Sequence, residues 1–297
     1  MLLAISVALG SAAVFAVANS LQHWAAGSIV NNGLSTLQLL RRLCRKPDWV
    51  LGACLGGVAF ALHAVALRLG SVGVVQPVML VGVVLAVLLR SAMDGRAPSG
   101  RILGAVSLTV ASLSIYLWVG GIRERDFDLQ TSPIWVVALA VGSASLLVTV
   151  GAKLHNRNLH ALVLGLTAGL LMGTSAGLLK ALVSAEHLGG AALLNWMPLG
   201  VALLGLAGTA LNQRAYQMAA ISLSMPALNV ASVLAGTAFG VFVFSELPTL
   251  TLMAATVQVI SLGLAGTGLW LTMRCTTQRH GCGGLKQDQI RASAGVE

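Results

Sequence analysis

The chain has 297 residues, of which 57% are hydrophobic and only 9% charged, and its mean hydropathy is +0.87. A soluble globular domain carries about a quarter charged residues, so this composition cannot clothe a water-facing surface, and lipid must be the main solvent. The net charge of +9 has no soluble basic face to sit on, which excludes nucleic-acid binding.

The length suffices for about nine helical spans of roughly 20 apolar residues each. Polar interruptions predict them at about 3–27, 48–69, 71–92, 100–121, 132–152, 159–184, 194–214, 222–244 and 249–272. Runs of this length predict helices, because barrel strands alternate and last about ten residues. The first run contains Ala16-Val17-Ala18, which resembles a signal-peptidase site. No Lys or Arg precedes it, so the charged region of a signal peptide is missing and a permanent helix is expected. Next comes "LSTLQLLRRL", whose leucines at 34, 37, 39, 40 and 43 predict an interfacial segment at about 30–46. Glycine recurs in the spans, 34 residues in the whole chain, as close helix packing in lipid requires. Residues 273–297 read as a disordered cytoplasmic tail. Its "CTTQRHGC" groups Cys275, His280 and Cys282, but the spacing fits no common zinc pattern. With Cys44 and Cys54, the cysteines show no paired framework.

Charge sets the expected orientation. With the N-terminus outside, the basic residues fall in inner segments at 41–46, 90–101 and 153–157, at Arg214, and in the tail. Only Arg68, Arg123 and Arg125 fall outside, with Lys180 inside a span. The positive-inside rule therefore predicts a multi-pass protein of the cell membrane with a cytoplasmic C-terminus. Its basic loops meet anionic headgroups, and cytoplasmic thiols stay reduced.

One apolar phrase is written twice. "AVALRLGSVGVVQP" lies over "QRAYQMAAISLSMP" when Trp49 is set over Trp196, Pro77 over Pro226 and Pro98 over Pro248. The helix at 3–27 likewise lies over that at 159–184, and 132–152 links the two copies, 1–121 and 159–272. An odd number of crossings then separates matching helices, so the second copy enters the membrane upside down. Inverted repeats of this kind place a substrate site at the repeat interface. Pro77 and Pro226 are expected as helix-break or hinge positions, although a proline near a helix start is also simply tolerated.

These segments, continuing through "GVVLAVLL" and "GVFVFSELP", resemble the EamA-like repeat of the drug/metabolite transporter (DMT) superfamily. "FSELPTLTLMAATVQVISLGLAGTGLWL" is the best match. The basic loop "LLRRLCRKPDWVLG", with an outside N-terminus, is similar to the NIPA magnesium-transporter-like branch. The resemblance covers about residues 1–272 and implies an all-α transporter, and for that branch magnesium as cargo. One departure is Asp94 in "DGRAPSG", where the second copy has Glu246.

Polar side chains inside spans are costly in lipid and are the default pathway candidates. They are Asn19, Gln22 and His23 in the first helix, His63 and Gln76 in the next two, Lys180 in the sixth, Asn212 and Gln213 in the seventh, and Asn229 in the eighth. Repeat alignment sets His63 over Asn212, and Gln22 or His23 over Lys180. Polar positions that recur under a pseudo-twofold would face one cavity; the alternative is interhelical bonding, or snorkelling by Lys180.

No Asp or Glu lies at mid-depth: Asp48, Asp94, Glu186 and Glu246 fall at helix ends or in loops. Magnesium takes oxygen ligands, usually with one or two carboxylates, so these residues do not make a buried magnesium site. A cavity lysine favours an anionic, zwitterionic or neutral organic solute. No nucleotide loop, His-Glu metal motif or nucleophile triad is present, so neither an enzyme nor a cofactor is expected. The expectation is a secondary transporter for a small metabolite, with or without a coupling ion. The rivals are a divalent-cation permease and a non-transporting membrane scaffold or membrane-embedded enzyme.

Overall fold

The computed structural model describes residues 2–29, 35–69, 72–95, 97, 99–120, 134–184, 196–244 and 251–294. Apolar runs in lipid must satisfy their backbone groups internally, and the described residues contain helices and no strand. The helices are α1 (Leu2–Gly27), α2 (Thr36–Leu43), α3 (Pro47–Leu69), α4 (Val72–Met93), α5 (Gly100–Gly120), α6 (Ile134–Ala152), α7 (Arg157–Ser184), α8 (Met197–Met218), α9 (Ile221–Phe244) and α10 (Leu252–Ala294).

Among the described residues, seven helices contain stretches long and apolar enough to cross a membrane, namely α1, α3, α5, α6, α7, α9 and α10. The chain is an all-α membrane protein. In α4 the described apolar stretch is Pro77–Met93. The apolar character of α8 ends where Asn212, Gln213 and Arg214 follow one another. Its outer stripe is still greasy: Leu199, Leu203 and Leu206 recur at helical spacing and are each more than half exposed. A patch of this kind on a soluble protein would mark a docking face; here lipid covers it.

The helix α2 begins at a capping box, in which the Ser35 side chain accepts from the Gln38 N–H and the Gln38 side chain accepts from the Ser35 N–H. Leu39 and Leu43 are fully buried, Arg41 and Arg42 lie in its last turn, and it touches α8.

Helix α1 packs along α3 and α4, and α7 packs along α8 and α9. Helix α5 pairs with α10, α6 lies on α7, and the two groups meet where α1 touches α8 and α4 touches α9. Small residues let these backbones approach. On α7, Gly165, Gly169, Gly173 and Gly177 form one line facing α9, and a Cβ at Gly165 would stand 2.9 Å from the Ser224 carbonyl oxygen. On α1, Ala8, Ala12, Ala16 and Ser20 form a buried line, and a Cβ at Gly82 of α4 would stand 2.9 Å from the Ala12 carbonyl oxygen.

Two expectations change. Pro77 and Pro226 do not break their helices, which start earlier, at Val72 and Ile221, and run on through them. Each proline withholds one N–H, from the carbonyls of Gly73 and Ser222, close enough to the helix start that the following turns close normally. Helix α10 also continues past 272 to Ala294, through residues expected to be a disordered tail. Gln, Lys, Arg and Ala near its end are good helix formers.

Candidate functional site: a cavity among α1, α3, α8 and α9

A cavity of about 410 Å³ lies where the two helix groups meet. Asn19 and Gln22 of α1, His63 of α3, Asn212 of α8 and Asn229 of α9 all line it. Aromatic residues and methionines supply most of the remaining wall, notably Phe15, Trp49, Phe60, Tyr216, Met79 and Met225. Among the described residues, none of those lining it is Asp, Glu, Lys or Arg, and no cluster of His, Cys, Asp or Glu could hold a metal.

The polar side chains make a seam between the last halves of α1 and α8. The Tyr216 hydroxyl donates to Asn19 Oδ1 at 2.8 Å, while Asn19 Nδ2 donates to the Phe15 carbonyl of its own helix, also at 2.8 Å. The Asn212 side chain bonds the same hydroxyl. One turn further, Gln213 Nε2 donates to Gln22 Oε1 at 2.7 Å. His23 Nε2 then donates to the Ala219 carbonyl at 3.1 Å, and the His23 ring meets Tyr216 edge-on at 5.2 Å. Gln217 Nε2 reaches the Ala26 carbonyl at 3.4 Å. Arg90 of α4 donates from Nε to His23 Nδ1 at 3.0 Å and pairs with Asp94. The two bonds to His23 together require its Nε2–H tautomer.

Not every polar atom is paired. Asn212 Oδ1, Gln213 Oε1 and Trp49 Nε1 are buried without a hydrogen-bond partner among the described residues. Buried polar atoms are nearly always bonded, so the seam holds acceptors, and the cavity wall a donor, not used in this arrangement.

No family model matches the chain, and no solved structure matches it. The chain is 30% identical over 252 residues to the uncharacterized protein Cgl0250/cg0304 of Corynebacterium glutamicum, covering 82% of this chain and 86% of that one. The two proteins belong to one family.

The predicted residues separate into three groups. Asn19, Gln22, His63, Asn212 and Asn229 reach the cavity wall. His23 and Gln213 instead belong to the seam, where they bond Ala219 and Gln22. Gln76 and Lys180 lie on α4 and α7, but their side chains fall outside the described residues. Asn229 donates to its own helix, at the Met225 carbonyl, 2.9 Å away. Tyr216 and Arg90 were missed. The signal for Tyr216 was present: it is one of only 2 tyrosines in the chain, and it follows Asn212 at i+4 on the same helix face.

Proposed function

We propose that the chain is a secondary transporter of the cell membrane that moves a small organic solute by alternating access between two inverted repeats. The observation that carries this is the cavity, whose walls come from α1, α3 and α4 of one helix group and α7, α8 and α9 of the other.

Three further observations support the repeats and about nine spans. Helix α1 packs on α3 and α4 as α7 packs on α8 and α9. Pro77 and Pro226 occupy the same position in α4 and α9. Ala12 meets Gly82 where, in the matching frame, Gly169 meets Ala231. The basic inner loops support an outside N-terminus and a cytoplasmic C-terminus, and the resemblance to the DMT superfamily points the same way. The NIPA-type magnesium permease remains the rival, but the described residues of the cavity wall offer no carboxylate for such an ion.

Purified protein in proteoliposomes should exchange an organic solute from a labelled metabolite mixture and leave labelled magnesium outside. Magnesium uptake without organic exchange would favour the permease. A folded protein that moves neither would remove the transporter reading.

A further inference from the structure

We infer that the cavity takes an uncharged single-chain amphiphile, which enters sideways from the bilayer between α3 and α8; this rests on the transporter reading and narrows its substrate class.

The mouth comes first. Helices α3 and α8 both line the cavity, yet among the described residues they do not pack along one another. Helix α3 is held mainly by α1, against which Gly52 lies so closely that a Cβ there would stand 3.0 Å from the Ala18 carbonyl oxygen. Only 17% of its apolar stretch is buried, against 61% for α7, so α3 is a lipid-facing helix. Phe60 lines the cavity and is 60% exposed. A residue that faces both the cavity and the outer surface of a membrane helix marks an opening toward lipid.

The cavity is also graded along its length. With a rise of about 1.5 Å per residue, Asn19 on α1, Asn212 and Tyr216 on α8 and Asn229 on α9 lie within about 12 Å of the end where α1 and α8 finish. Phe15, Phe60 and Met79 lie about 18–21 Å from that end on the same count, and His63 deeper, at about 24 Å. Polar groups at one membrane face and an apolar stretch toward the middle reproduce the polarity of a single leaflet. Spare hydrogen-bonding atoms sit at the polar end, Asn212 Oδ1 and Trp49 Nε1, an acceptor and a donor.

Charge selects the head. Among the described residues the wall has no ionised side chain to meet a charged group, and an unpaired charge at this depth is expensive. A hydroxyl or amide head can be met by amides and an indole N–H. The methionines adapt to the shape of a chain. On the side of the polar end, the bonds from Gln213, His23 and Gln217 tie α1 to the end of α8 and obstruct a direct water route.

The test reads access rather than transport. The full chain, with Cys44, Cys54, Cys275 and Cys282 replaced by serine, is placed in bilayer nanodiscs and spin-labelled at Gly56→Cys. A Cβ at Gly56 meets only Gln22 Nε2, at 3.8 Å, so the side chain fits. Phe60→Cys, at the mouth, serves if the first variant does not fold, and Leu139→Cys on the outer face of α6 is the lipid control.

Label in the cavity should collide with oxygen as the control does and be shielded from a water-soluble nickel chelate. Added monoacylglycerol should slow the cavity label in a saturable way and leave the control label unchanged. Access by the nickel chelate, shielding from both reagents, or no saturable effect of monoacylglycerol would each overturn the inference. A protein that exchanges a water-soluble metabolite while its cavity ignores monoacylglycerol loses only this inference. One that binds monoacylglycerol and moves no solute loses only the transporter reading.

Discussion

Gly169→Ala tests how closely α7 and α9 cross. A Cβ at 169 would stand 2.8 Å from the Leu228 carbonyl carbon and 2.9 Å from Ala231 Cβ, with the Leu228 oxygen nearer still. Carbon atoms pack best at about 3.5–4.0 Å, and the atoms in the way are largely backbone, which cannot rotate aside. The helices must part, and Gly165 and Gly173 on the same line lose contact with α9 as well. Alanine gains at most about 1 kcal/mol of helix propensity over glycine. Overpacking costs about 1–3 kcal/mol, and a backbone obstacle puts this case at the upper end. The net loss is about 2 kcal/mol, or roughly 4–8 °C at the 2–4 °C per kcal/mol of chains of 150–250 residues. Gly10→Ala is the matched control: nothing lies within 4 Å of its Cβ, so its melting point should hold or rise. Thermal unfolding in mild detergent, followed by size-exclusion fluorescence, measures both. If Gly169→Ala melts with or above Gly10→Ala, the close crossing is wrong.

Tyr216→Phe keeps the ring but removes the donor to Asn19 Oδ1; leaving that buried acceptor unpaired should cost about 1–3 kcal/mol in the same assay. Gln22→Leu and Gln213→Leu should each destabilise, while the double variant recovers part of the loss, giving a coupling of about 0.5–1.5 kcal/mol for the 2.7 Å bond; additive losses would mean the bond contributes nothing. With the charge-based orientation, an impermeant thiol reagent added outside should label a cysteine at residue 127 and miss one at 155, and the opposite pattern would invert every loop.

The helices were legible because an apolar run of membrane length has one way to bury its backbone groups, and, α10 apart, the polar interruptions fell close to the helix ends. The line between cavity and seam was not legible. Asn212 and Gln213 are adjacent in sequence, but a helical step of about 100° sends Asn212 to the cavity wall and Gln213 to Gln22. Hydropathy scores both alike. The repeat frame paired His63 with Asn212, and both reach the cavity wall. Tyr216 escaped because a tyrosine in an apolar span counts as bulk until its hydroxyl has a partner. Arg90 escaped because a basic residue near a helix end was counted as topology, whereas it also bonds His23. The prolines misled in one respect: the rule that proline marks a helix boundary fails when the break falls this early in a helix.

The two helix crossings impose a constraint of an unusual form. At one, alanine on α1 faces glycine on α4; at the other, glycine on α7 faces alanine on α9. At Gly82 the atoms a methyl would strike are the Ala12 backbone, and at Gly169 the nearest are the Leu228 backbone, so no change of side chain on the facing helix makes room. Natural drift is therefore barred from adding a carbon to either glycine, whatever its partner does. In relatives such as the corynebacterial protein, the positions matching 82 and 169 should stay glycine while the one matching 12 varies among small residues. A double exchange, Ala12→Gly with Gly82→Ala, should cost at least as much as Gly82→Ala alone.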